Sequence, residues 1–303
     1  MGAPFQTVDA GGRGRGALLD SFGQTFYVSS VTGSSSYSGK ASNKPKATIA
    51  QALALCTASH GDTIIVGPGH AEALTAEITV SVAGVSIIGK GNGRLRPALT
   101  ATFGAAGDTL AIDADNVRIE NIRFVSSGAT QNAQIDVTAA DYQIVNCVIE
   151  QGASNLMGVT LASGAHRGLF DGCTWLATAN GPDCAIDIES SASDYVTVRN
   201  CMFNGAGFGF DLGVIRASID AALGWLISDC QFISCDTVAI DFNSSSAAAC
   251  DGVVQRCTFH ATAALTSIED IIDPGAYHFF ECYAHDGTNT TTAAARVPIG
   301  TVS

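Results

Sequence analysis

The chain has 303 residues, 47% hydrophobic and 14% charged, with 33 glycines and a net charge of −13, which excludes a disordered chain; no apolar run reaches the ~18–20 residues of a membrane-spanning helix. Residues 1–46 hold five basic residues against Asp9 and Asp20, whereas residues 91–303 hold nine Arg, no Lys and 23 acidic residues. So acidic a body favours solubility and excludes a nucleic-acid surface, which needs Lys and Arg against phosphate.

Residues 1–24 are Gly-rich, mildly basic and without a strand pattern. They read either as a flexible terminus or as an arm that orders on docking to a neighbouring subunit or an acidic surface. They show no basic segment followed by an apolar one, so no secretory signal is expected. Residues 25–61 hold an entry strand and a short helix over Thr48–Ser59, with Ile49, Leu53 and Cys56 on one face. Such a helix would cap the open end of a strand stack, where unpaired edges invite aggregation. Asp62–Val66 opens the first regular strand and Val85–Gly89 a second early coil.

From there one pattern returns seven times, from Ile119-Glu120-Asn121-Ile122-Arg123-Phe124 to Phe279-Phe280-Glu281-Cys282-Tyr283-Ala284. Its marker falls at Ile122, Cys147, Cys173, Cys201, Cys230, Cys257 and Cys282, at intervals of 25–29 residues. A second strand-like segment precedes each marker, as in Gln134-Ile135-Asp136-Val137 and Ala185-Ile186-Asp187-Ile188. Short alternating strands and regular turns, with no helical period, predict an all-β fold. The expected architecture is a single-stranded right-handed parallel β-helix, a β-solenoid over residues 62–285, with residues 286–303 as a tail or cap. Strand alternation then turns each marker Cys inward, and Phe124, Trp175, Phe203, Phe232 and Phe259 form a second interior column. The cysteines read as a reduced, buried ladder. Disulfides lack a unique pairing in such a ladder, and metal binding would want CxxC-type clusters, of which the nearest approach is Cys230 and Cys235.

The entry segment carries a resemblance. Phe26-Tyr27-Val28, Gly33, Ser38-Gly39, Lys44-Pro45, Ala47-Thr48-Ile49 and Gly61-Asp62-Thr63-Ile64-Ile65-Val66-Gly67-Pro68-Gly69 resemble the opening of the pectate-lyase-like parallel β-helix superfamily. Val85–Pro97 is similar to the second coil of many bacteriophage proteins of this class. The resemblance covers about residues 26–290. It implies the fold more than an activity, because the superfamily mixes enzymes acting on polysaccharides with non-catalytic virion proteins.

The catalytic patterns implied by that resemblance are not met: there is no Asp-Asp pair, Gly-His-Gly or Arg-x-Lys, and no Lys follows Lys90. Gly69-His70-Ala71 comes too early to match. Asp113, Asp136, Asp187, Asp220 and Asp241 recur as a column that reads as turn or surface structure, with cation binding and catalysis as alternatives. Glu269, Asp270 and Asp273 form the densest acidic cluster. His60, His70, His166, His260, His278 and His285 are scattered; His166 and His278 read as equivalent positions in their coils. No catalytic, cofactor or metal residue is assigned. The expected function is a non-enzymatic bacteriophage virion protein, tailspike-like, decorating or cementing the capsid. The resemblance implies a homotrimer, with the major capsid or another virion protein as partner through the arm. Unpaired cysteines suit assembly in a reducing host cytoplasm. The rival is a depolymerase cleaving bacterial surface polysaccharide, for which Trp175 and Trp225 are the available Trp side chains; a third reading is a protein that holds glycan without cutting it.

Overall fold

The computed structural model describes residues 23–286 except 104–106, 126–130, 154, 190–192, 218–222, 236–237, 243–250, 262–271 and 274–275. Its strands stack into three parallel ladders. The first has ten strands, from β1 (Thr25–Val28) to Ala276–Phe280. The second has nine, from Ala71–Leu74 to Tyr283–Asp286, and the third eight, from Ile78–Val80 to Ile272–Asp273. Each coil passes from first to second to third ladder, so every strand pairs with its equivalent one repeat away, about 4.8 Å along the axis.

Two sets of left-handed corners bend the coils among the described residues. Asn121, Asn146, Gly172, Asn200, Asp229, Arg256 and Glu281 stand between the first and second ladders with φ of 50–66°. Gly84, Asn116, Asp141, Arg167, Tyr195 and Gly224 do the same between the third and first, with φ of 57–74°. Asn, Asp and Gly tolerate this conformation; Arg, Tyr and Glu bear strain. Both arginines are tied to a corner aspartate one coil earlier, Arg167 to Asp141 at 2.7 Å and Arg256 to Asp229 at 2.7 Å.

The marker cysteines follow the first corner. They therefore do not sit within one continuous strand, as alternation suggested, but in the bend between Gln143–Val145 and Val148–Gln151 and its equivalents. They still point inward: the six are buried and free. Cys147, Cys173, Cys230, Cys257 and Cys282 each donate a weak S–H bond to a carbonyl of the preceding coil, as from Cys173 Sγ to Ile144 O at 3.2 Å. Burial pushes the Cys147 and Cys173 thiols well up. Beside them Trp175, Phe203, Phe232 and Phe259 stack with centroids 4.6, 4.9 and 4.7 Å apart.

The expected helix over 48–59 is reduced to α1, Ile49–Leu53. The Thr48 hydroxyl accepts from Gln51 N–H at 3.2 Å and starts the helix. Asp62 stops the continuation, because its carboxylate takes Thr57 N–H at 2.7 Å and draws the chain away. Asp62 is buried and also accepts from Gln24 N–H at 2.7 Å and lies 2.8 Å from His60 Nδ1. Burial pushes its carboxyl up, but these hydrogen bonds hold it below the usual range. The entry strand β1 joins the first ladder, since it pairs in register with Thr63–Val66.

Candidate functional site

Along the third ladder several carboxylates interact, Asp108, Asp136, Asp187 and Glu189 among them. Thr79, Ala111, Asp136, Thr160, Asp187, Arg216, Asp241 and Asp273 stand in continuous register along it, with Ala111, Thr160 and Asp187 buried. Alternation produces the column: Ile135 and Val137 point into the core, so Asp136 between them points out. Three members of the expected Asp column, Asp136, Asp187 and Asp241, share this register, with Thr160 and Arg216 between them. Asp113 does not. It lies beyond the strand Leu110–Ile112, level with Thr138, whose hydroxyl it accepts at 3.1 Å. Asp220 is outside the described residues, and the register place expected for it holds Arg216. Asp273 joins the column, whereas its neighbours Glu269 and Asp270 lie outside the described residues.

Asp108 and Glu77 extend this face toward the N-terminal end. Asp108 accepts from Ala133 N–H at 2.8 Å, and its own N–H donates to Glu77 Oε2 at 3.1 Å. Burial pushes the Asp108 carboxyl up to about 6, opposed by the Ala133 bond and reinforced by the charges of Asp136, Glu77 and Glu189. Burial likewise raises Asp136, against the hydrogen bond from the Thr160 hydroxyl, and raises Glu189 together with the charges of Asp187 and Asp136. Beneath the face runs a buried polar seam, in which the Thr109 hydroxyl donates to Gln134 Oε1 at 2.6 Å and Gln134 Nε2 donates to Glu150 O at 2.8 Å. No expectation from the sequence included Asp108, Glu77 or Glu189. Their one signal is position: each flanks a third-ladder strand, which shows once the register is known.

A carboxyl raised to about 6 can exchange a proton in mildly acidic solution, and its ionised neighbours attract cations. Among the described residues no group of three His, Cys, Asp or Glu side chains is arranged to hold a metal ion. The raised Asp108 has a thermodynamic sign. Its folded value lies above its ordinary 3.8, so the folded state binds more protons between pH 4 and 6, and stability is lost as pH rises through about 6. Denaturation midpoints of the wild type should fall across that window, and Asp108→Asn should flatten the fall.

The histidines are dispersed. His70 is buried: Nδ1 accepts from Ser30 N–H at 2.9 Å, so Nε2 carries the proton and donates to Glu72 Oε2 at 2.9 Å. Glu72 Oε2 in turn accepts from Ile49 N–H at 3.1 Å, tying the entry loop to α1. His166 and His278 are not equivalent, because His166 precedes the corner residue Arg167 while His278 lies in a first-ladder strand opposite Val253. Trp175 and Trp225 are both fully buried, and Trp225 Nε1 donates to Ser193 O at 2.7 Å. Neither is available to stack on a sugar.

No family model matches the sequence, and a search of the curated proteins finds no match. Among solved structures the chain is similar to pectate lyase Pel9A, with TM-score 0.57 and 13% identity over 91% of this chain and 82% of that one. It is also matched to a GH136 lacto-N-biosidase from Eubacterium ramulus, with TM-score 0.45, 9% identity and coverage of 86% and 68%. A third match is to ORF18 of Geobacillus virus E2, with TM-score 0.39, 13% identity and coverage of 78% and 57%. The last two likenesses are too distant to carry an argument. Three parallel ladders, inward columns and the likeness to Pel9A identify the chain's fold as a parallel β-helix, a β-solenoid like that of this pectate lyase.

Proposed function

We propose that the chain is a non-enzymatic structural protein of a bacteriophage virion, a tailspike-like rod that decorates or cements the capsid as a homotrimer. One observation supports this most. The segment similar to bacteriophage proteins, Val85–Pro97, supplies the third strand from the end of the longest ladder and follows directly on the entry segment, whose β1 is the end strand. An arm of residues 1–24 therefore leaves at the tip, where a contact with the shell would be made. The arm and the entry segment are the basic part of an acidic chain, which suits docking to an acidic surface. In this reading α1 closes the core at that tip. Locating the protein in a reconstruction of the particle tests the assignment: density on the capsid is expected, and density confined to the tail would refute decoration.

The raised carboxyl of Asp108 beside Asp136, Glu77 and Glu189 favours one other reading, a depolymerase of bacterial surface polysaccharide. Incubation with host capsular polysaccharide and lipopolysaccharide, followed by assay of reducing ends and unsaturated products, separates the two. A structural protein yields neither product. Turnover that disappears in Asp108→Asn would establish the enzyme and sink the non-enzymatic reading.

A further inference from the structure

The corner between the first and second ladders is not the same in every coil. Asn121 and Ile122 alone join Arg118–Glu120 to Arg123–Val125, whereas residues 90–97 join Ser86–Gly89 to Ala98–Ala101. The longer corner is held at its ends. Lys90 N–H donates to Val66 O at 2.8 Å, Asn121 Nδ2 donates to Gly91 O at 2.9 Å, and Leu95 O accepts from Gly69 N–H at 2.8 Å. Between these ties Asn92, Gly93 and Arg94 are exposed. Neither the Asn92 side chain nor Gly93 N–H has a hydrogen-bond partner among the described residues. A Cβ at Gly93 would meet no atom within 4 Å.

An asparagine side chain places an electrophilic amide carbon within reach of the backbone nitrogen that follows it, and a glycine offers that nitrogen with no Cβ to hinder the approach. The chain has three such pairs, Asn92-Gly93, Asn180-Gly181 and Asn204-Gly205, and the fold treats them differently. Gly205 N–H donates to Ile233 O at 2.8 Å and Asn204 Oδ1 accepts from Ala206 N–H at 2.8 Å, so both reacting groups are engaged. Gly181 is half-buried against the preceding coil, where a Cβ would fall 2.9 Å from Ala153 O. At 92–93 both residues are exposed and both groups are free. Asn92 is extended, with φ −127° and ψ 160°, so ring closure must first turn the peptide that joins it to Gly93. Gly91 and Gly93, with φ of 103° and 55°, permit that turn on either side. It gives up one surface hydrogen bond, from Leu95 N–H to Asn92 O at 3.0 Å.

We propose that Asn92-Gly93 is a self-deamidation site, at which the chain converts an amide into a carboxylate inside a basic corner. Gly93 N forms a bond to Asn92 Cγ and gives up its proton to solvent, while the Cγ–Nδ2 bond breaks and ammonia leaves. Water then opens the cyclic imide at either carbonyl and leaves aspartate or its isoaspartyl isomer, with no change in oxidation state. Val85–Pro97 carries Lys90, Arg94 and Arg96 and no acid, so its charge falls from +3 to +2. The isoaspartyl form also lengthens the backbone by a methylene, between ties at Lys90, Gly91 and Leu95 that hold the corner to its neighbours. The site stands whether or not the protein belongs to a virion.

Ageing the folded full chain in mildly alkaline buffer, followed by peptide mass spectrometry and isoaspartyl methyltransferase labelling, reads each pair separately. Asn92 should convert about tenfold faster than Asn204, because reaction at a hydrogen-bonded turn waits on local opening. Asn180 should fall between them. In urea the three rates should converge, since the same dipeptide then stands in the same solvent. The acidic species that grows on ion exchange should be absent from Asn92→Gln, whose longer side chain disfavours ring closure. Conversion of Asn92 no faster than that of Asn204 in the folded chain would overturn the proposal. So would a ranking that persists unchanged in urea, because the difference would then belong to the neighbouring residues and not to the fold.

Discussion

Trp175→Ala should lower folding stability by about 3–5 kcal/mol, the usual cost of deleting a fully buried large aromatic side chain. Trp175 is fully buried and starts the stack that continues through Phe203, Phe232 and Phe259. It also meets Phe170 at 5.7 Å between centroids. Its neighbours are held by ladders one coil away on each side, through Ile149 and Phe203, so they cannot close the cavity without breaking register. Trp175→Phe should cost less than about 1.5 kcal/mol, because the column already accepts Phe and Trp175 Nε1 has no hydrogen-bond partner among the described residues. Denaturant unfolding of both variants measures the difference. Nearest-neighbour stacking predicts that exchange protection falls first in the strands adjoining Thr174–Ala177. An equal loss in both variants would contradict this account.

Gly168→Ala should destabilise by about 1–3 kcal/mol through overpacking. The column that enters the first ladder reads Val85, Val117, Tyr142, Gly168 and Val196, linked by successive backbone bonds. Tyr142 is fully buried and leans over Gly168, where a Cβ would fall 2.0 Å from the Tyr142 Cζ. The glycine makes room for that ring, where Val85, Val117 and Val196 hold the other places of the column. The double variant Tyr142→Val/Gly168→Val restores the pattern of the column. It should be more stable than Gly168→Val alone, with a coupling of about 0.5–3 kcal/mol in a double-mutant cycle. Additive losses would show that the clash is relieved elsewhere.

How much was legible differs between the fold and the site. The period was visible because a solenoid repeats its environment every coil, so Cys and Phe recur wherever the same interior place recurs. The corner residues were legible too, in the Asn, Gly or Asp that precedes four of the six marker cysteines, though alternation alone placed those cysteines inside strands. α1 was longer in expectation than in fact, because the apolar face of 49–56 gave no sign that Asp62 would capture Thr57 N–H.

The sequence by itself determined the parallel β-helix, the inward direction of the cysteines and the aromatic column, because each follows from a short pattern repeated locally. Only the tertiary structure decided which charged groups share a face. Loops between ladders vary in length, and a shift of one residue sends a side chain to the other side of its strand. That is why Arg216 stands between Asp187 and Asp241 where another aspartate was expected, and why Asp113 falls out of the column. The raised carboxyl of Asp108 follows from neighbours a full coil or more away in sequence, Asp136, Glu77 and Glu189, a proximity that exists only once the coils are stacked.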